Sequence, residues 1–366
     1  MKRLRTIRPT VTGIAHAIQN IATTRSCIAL SLFSCIMCII AACSRGIELV
    51  EPSDSAQYVL AIPPGFPPMF IPDYERPLTQ AKIELGRKLF FDPILSINGT
   101  VACATCHQPN HAFTVPVPVP AGVFGRRGTR NAPTLTNVGY NRSFFWHGGS
   151  TSLQTQALSS LENEDEMGND ADNIVQTLRA HSEYPRLFRQ VFGKEIDILS
   201  VLDAIAAFER TLISGNSRYD HFQRGDSSAL NASERRGMAL FFSERTQCAS
   251  CHAGFNFTSG AFEDNGSQAP QYVDLGRYMM TGREEDKGKF KVPTLRNIAR
   301  TAPYFHNGSR PTLESVIAHY NAGGSSAMRS PNQSPRVRPL GLTHDEQTDI
   351  INFLKALTDE EFVRPR

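Results

Sequence analysis

The chain has 366 residues, 40% of them hydrophobic and 20% charged; this is apolar material for one large or two medium globular domains, and it excludes intrinsic disorder. The formal charge is +3, but Lys2, Arg3, Arg5, Arg8 and Arg25 fall within the first 42 residues, where no acid occurs, so the rest carries about −2. A near-neutral body gives no sign of nucleic-acid binding.

The basic N-terminal segment leads into an apolar run over residues 27–42 that closes with Ile40-Ala41-Ala42-Cys43. A basic segment, a hydrophobic core and small residues before a cysteine resemble a bacterial lipoprotein signal. Residues 1–42 are therefore expected to be a leader, Cys43 to carry lipid as the sole membrane attachment, 43–60 to be a linker, and the body to lie in the periplasm. An uncleaved anchor is the alternative, although the run is short for a span of about 20 residues.

Apolar residues recur at three-to-four spacing over residues 78–91, 174–192, 198–213, 232–242, 313–320 and 344–357, which predicts helices there. Thr79, Asn231 with Glu234, and Thr343 with Glu346 supply N-caps. No comparable strand pattern appears, residues 115–120 and 264–288 read as loops, and 215–228 reads as a join between two halves, 61–220 and 221–366.

Of eight cysteines, Cys27, Cys35, Cys38 and Cys43 lie in the leader and Cys103, Cys106, Cys248 and Cys251 in the body. The body cysteines form Cys103-Ala104-Thr105-Cys106-His107 and Cys248-Ala249-Ser250-Cys251-His252. This C-x-x-C-H spacing lets two thiols bond the vinyl groups of a haem while the following histidine reaches the iron. Two copies in an exported chain with no other body cysteine outweigh a redox or zinc site, so two covalent c-type haems are expected, with His107 and His252 as proximal ligands. The surroundings repeat too: Gly86-Arg87-Lys88-Leu89-Phe90-Phe91 parallels Gly237-Met238-Ala239-Leu240-Phe241-Phe242, and Pro133-Thr134-Leu135 parallels Pro293-Thr294-Leu295. Each half reads as one haem domain in a mainly α chain.

With these motifs, Gly128-Thr129-Arg130-Asn131-Ala132-Pro133, Phe145-Trp146 and Thr301-Ala302-Pro303-Tyr304-Phe305-His306-Asn307-Gly308, the chain over residues 62–358 resembles the bacterial di-haem cytochrome c peroxidase and MauG family. The resemblance implies two cytochrome c-like domains in tandem and an interdomain calcium ion at Asn131, Thr301 and Pro303. It places Gln156 and Glu166 over the first, peroxide-binding haem and Trp146 between the haems as an electron relay. Read without it, Gln156 and Glu166 are a solvated helix and an acidic loop, and Trp146 a large core residue.

Departures from the family pattern bear on function. Ser160 and Glu164 replace prolines, and His147 stands where an aspartate is usual. Val123 occupies the place of a distal histidine, which predicts an open first haem, with His111 the one nearby histidine able to close it. At the second haem the resemblance aligns Tyr320 with the tyrosine of MauG, where the peroxidases have methionine; a phenolate favours ferric iron, and His319 and Met328 compete for the position. His306 is expected near the second haem in a structural role. Arg126, Arg127 and Arg130 are either propionate partners or a solvated loop.

The expected activity is reduction of hydrogen peroxide with electrons from a periplasmic cytochrome or blue-copper protein. The alternatives are MauG-like oxidation of a partner protein and, in a different class, a two-haem electron carrier.

Overall fold

Thr79 opens the first long helix, α1 (Gln80–Phe91), by accepting a hydrogen bond from the Lys82 backbone N–H at 3.2 Å. The structure, a computed structural model, describes residues 57–325 and 328–364; the leader, Cys43 and most of the expected linker lie outside these. The mainly α expectation is met: the described sheet is one antiparallel ribbon of two-residue strands, β1 (Phe262–Glu263) and β2 (Phe290–Lys291).

After α1 come α2 (Cys103–Cys106), α3 (Leu153–Glu162), α4 (Ala171–Ala180), α5 (Tyr184–Phe192) and α6 (Ile198–Glu209). The single helix expected over 174–192 is two, because Pro185 sits in the first turn of α5. Its missing N–H is harmless there but would interrupt a continuous helix. The helix expected over 198–213 ends at Glu209 and gives way to turns. Helix α3 escaped the periodicity reading; Ser152 caps it, and it buries only Leu153, Ala157 and Leu161.

The join over 215–228 carries a helix of its own, α7 (Arg218–Gln223). Asp220 accepts both ends of the buried Arg296 guanidinium at 2.9 and 3.0 Å, and Asp359 Oδ2 accepts the backbone N–H groups of Gly215 and Asn216. These bonds fasten the segment to the second half of the chain. There follow α8 (Ala232–Phe241), α9 (Tyr278–Thr281), α10 (Leu313–Ala322) and α11 (His344–Lys355).

The sequence repeat is a structural repeat. Gly86 of α1 meets α6 so closely that a Cβ there would lie 1.8 Å from the Ala204 carbonyl oxygen, and Gly237 of α8 meets α11 with a Cβ position 1.9 Å from that of Asp349. Four residues after each glycine a phenylalanine is buried, Phe90 and Phe241. Left-handed backbone recurs at matched positions: Phe113 and Phe257, Asn137 and Asn297, Phe145 and Phe305. A bulky residue rarely adopts that conformation, and these three pairs repeat it at equivalent places in the two halves.

Two apolar clusters form around α1 and α6 in the first half, one of them also taking Phe362 and Val363 from the C-terminus. A third surrounds α8 and α11. No helix among the described residues is long and apolar enough to cross a membrane.

Candidate active site

Each C-x-x-C-H motif lines its own cavity. The first encloses about 60 Å³ and the second about 230 Å³. In the first, the His107 Nδ1 lies 2.8 Å from the Phe113 carbonyl oxygen; in the second, His252 Nδ1 lies 3.1 Å from that of Phe257. With Nδ1–H donating, the lone pair of each ring is left on Nε2, the tautomer a metal ligand needs. Burial holds both imidazoles neutral, drawing His252 down to about 4. It also pushes the Cys103 thiol up to about 12 and that of Cys106 to about 11, so neither is a ready thiolate.

Helix α3 brings Gln156 and Ser160 to the first cavity one turn apart, with Gln156 Nε2 donating to Ser160 Oγ at 3.1 Å. Glu166 joins them from the loop after α3. Its turn is built by Asn163, which donates to Glu166 Oε1 at 2.9 Å, while the Val123 N–H holds the Glu166 carbonyl at 2.8 Å. Burial raises the Glu166 carboxyl, and hydrogen bonds from Ser160 and Asn163 oppose the rise. His111 and Val123 do not line this cavity; Val123 is fully buried in an apolar cluster.

Sequence reasoning missed Glu209. This last residue of α6 lines the same cavity, is 4% exposed, and leaves Oε2 without a hydrogen-bond partner among the described residues. Burial pushes its carboxyl up to about 8. An acid closing the apolar run over residues 204–208 of a largely buried helix was the available signal.

Tyr320, in the last turn of α10, lines the second cavity; its neighbour His319 does not. The His319 Nε2 lies 2.9 Å from the Asn265 carbonyl oxygen, which engages that nitrogen with the loop. Met328 is exposed and away from the cavity lining. Burial raises the Tyr320 hydroxyl to about 12.

Trp146, Asn131, Thr301, Pro303 and His306 line the second cavity as well. The Trp146 indole N–H donates to the Asn131 carbonyl at 2.8 Å, and the Trp146 carbonyl accepts the Lys291 N–H at 2.7 Å. His306 stacks on Phe290 with centroids 3.8 Å apart.

Of the three arginines considered for propionates, Arg130 is already committed. It is bidentate to Asp274 at 2.7 and 2.8 Å, and its Nη1 lies 2.6 Å from His147 Nδ1. Burial, then the Arg130 charge, draws His147 down to about 4. Arg126 pairs with Glu164 at 3.3 Å, and Arg127 donates to the Val119 carbonyl.

Comparison with known proteins places this arrangement. Residues 80–228 match the profile of the di-haem cytochrome c peroxidases, and residues 289–321 match that of RoxA-like cytochrome c-like proteins. The methylamine utilization protein MauG of Methylorubrum extorquens is 36% identical over 286 residues, covering 78% of this chain and 80% of its own. The chain belongs to the di-haem cytochrome c peroxidase and MauG family.

The cytochrome c551 peroxidase of Pseudomonas aeruginosa is 34% identical, covering 78% of this chain and 81% of its own. The crystal structure of a MauG-like protein associated with microbial copper homeostasis superposes with a TM-score of 0.76 at 34% identity, over 84% of this chain and 97% of that one. Membership makes the protein an oxidoreductase of the cytochrome-c peroxidase type and implies two c-type haems. The residues present fit that cofactor. Each cavity pairs two protonated thiols with an imidazole whose Nδ1 is engaged by a carbonyl, and no cluster of three or more His, Cys, Asp or Glu side chains suited to a free metal ion occurs among the described residues.

Proposed function

We propose that the protein reduces hydrogen peroxide at the first cavity and receives the electrons through the second. The observation that carries this reading is the grouping of Gln156, Ser160 and Glu166 in the cavity of Cys103, Cys106 and His107. When bound through Cys103, Cys106, Cys248 and Cys251, the haems supply iron that exchanges electrons, with Nε2 of His107 and His252 as ligands.

The protein's part is to place peroxide and move protons. Gln156, steadied by Ser160, orients the substrate through its amide. Glu166, with Oε1 held by Asn163 and its carboxyl also bonded by Ser160, would take a proton from one peroxide oxygen and return it to the other as the O–O bond breaks. Two electrons and two further protons complete two molecules of water. Trp146, in the wall of the second cavity, relays electrons between the sites. Tyr320 would be the second protein ligand offered to the iron of that haem, since it lines the cavity whereas His319 does not and is engaged with Asn265. A calcium ion at Asn131, Thr301 and Pro303 would rest on amide, hydroxyl and carbonyl oxygens, a donor set for a hard cation.

The lipoprotein-like leader and the covalent haems support a periplasmic protein held by lipid at Cys43, taking electrons from a small cytochrome or a blue-copper protein. A second reading, oxidation of residues on a partner protein, is favoured by Tyr320 in the second cavity and by the absence of a histidine at position 123. The different class, an electron carrier, requires a strong second ligand at the first haem, and His111 does not line that cavity.

Stopped-flow spectroscopy of the fully oxidised protein with stoichiometric peroxide tests the proposal. A rapid change in the haem bands is expected without added reductant, together with its loss in Glu166→Gln. A long-lived oxidised state that decays only with a protein substrate would favour the second reading, and no reaction in either redox state would leave the electron carrier.

A further inference from the structure

The second cavity is lined by the charged residues Glu263, Asp264, Lys291 and Arg336, and the two carboxylates and the guanidinium are matched by a salt bridge or by several N–H and O–H donors. Glu263 lies 3.7 Å from the Arg336 guanidinium. Asp264 accepts from the Gly266 N–H at 2.8 Å, the Tyr272 hydroxyl at 2.9 Å and the Ser330 hydroxyl at 2.6 Å. Lys291 differs. Its Nζ donates to the Ser143 carbonyl at 2.8 Å and lies 6.0 Å from the centre of the Phe144 ring, and no carboxylate pairs with it among the described residues. Enclosure alone draws its ammonium down to about 8, so it is largely charged at neutral pH.

An enclosed cation is normally paired, because leaving water without a counter-charge costs more than one hydrogen bond returns. The cavity's expected occupant carries the missing charge: a c-type haem is tethered through its vinyl groups and keeps both propionates as carboxylates. We propose that Lys291 is the propionate-binding residue of the second haem and, through its bonds to the segment 143–146, ties that haem to Trp146. The tie is local, since the Lys291 N–H donates to the Trp146 carbonyl at 2.7 Å while Nζ reaches Ser143 in the same segment. Lys291 thus acts as a positioning and charge-setting residue rather than a catalytic one. The inference rests on a haem occupying the second cavity and is independent of how the first haem treats peroxide.

A cation beside a propionate stabilises the reduced haem, which carries one more electron, and so raises its potential. Redox titration of the haem-loaded protein tests this, with total haem measured by alkaline pyridine assay and peroxide turnover followed in parallel. Lys291→Gln keeps a donor for Ser143 and removes the charge; it is expected to retain both haems, lower the midpoint potential of the second haem only, and shift the propionate bending band in resonance Raman spectra. Lys291→Arg is expected to restore both towards the parent. A Gln variant with two haems and an unmoved potential and band overturns the proposal, as does an Arg variant that shifts as far as Gln. If the shifts occur in a protein that does not turn over peroxide, the propionate contact stands and the peroxidase reading falls.

Discussion

Gln156 and Ser160 are joined across one turn of α3 by a 3.1 Å hydrogen bond, at a position where the family pattern has proline. The same serine also bonds the Glu166 carboxyl and opposes the rise that burial imposes on it. Ser160→Ala removes both contacts. Neutral hydrogen bonds contribute about 0.5–1.5 kcal/mol net, so kcat/KM for peroxide is expected to fall roughly two- to tenfold. Because the lost bond lowered the Glu166 pKa, the acid limb of the pH–rate profile should move to higher pH. An unmoved limb would separate Ser160 from Glu166.

Tyr320 lines the second cavity while His319 is engaged with Asn265. Tyr320→Met should replace a hard anion by a thioether and make the second haem reducible at higher potential, whereas His319→Gln should leave its coordination unchanged. Electron paramagnetic resonance and absorption spectra of the oxidised variants provide the check. A Met variant indistinguishable from the parent would exclude tyrosine ligation.

Glu209 links pH to stability. Burial raises its carboxyl from 4.5 to about 8, so between those values the folded protein retains a proton that the unfolded chain releases. The associated stability is complete below about pH 4.5 and is lost as pH rises through 8. Glu209→Gln keeps the shape without the ionisation, and its urea midpoint should decline less than the parent's between pH 5 and pH 8. Parallel declines in the two proteins would show that another group carries the dependence.

Gly86→Ala and Gly237→Ala each place a methyl group within 2 Å of a backbone carbonyl across a helix crossing. Neither backbone can yield locally, and overpacking of this kind costs about 1–3 kcal/mol or more. Both variants should therefore unfold at lower denaturant concentration. A normal midpoint for either would mean that the helix pair slides apart without cost.

Much of the architecture was readable because it is written in short spacings. Helix α1 declared itself through Thr79 and its apolar face, and the duplication through two glycine-to-phenylalanine runs. Periodicity failed where one residue changed the backbone's options, as Pro185 did by dividing 174–192. It failed again at α3, whose polar surface hides a three-residue apolar stripe. The helix within the join over 215–228 was not legible for another reason: its order comes from Asp220 and Arg296, residues 76 positions apart.

The sequence by itself determined the chemistry of attachment. Two thiols, two spacers and a histidine lie within five residues, so the spacing alone keeps the three groups within reach of one another. Only tertiary structure decided what faces each haem site. Packing of α3 and α6 set Gln156, Glu166 and Glu209 around the first cavity, while Arg130, one of three arginines considered for propionates, is paired with Asp274 and Lys291 has no carboxylate partner among the described residues. These relationships join residues far apart in the chain. Their outcome depends on which polar groups find partners once water is excluded, and no local pattern encodes that competition.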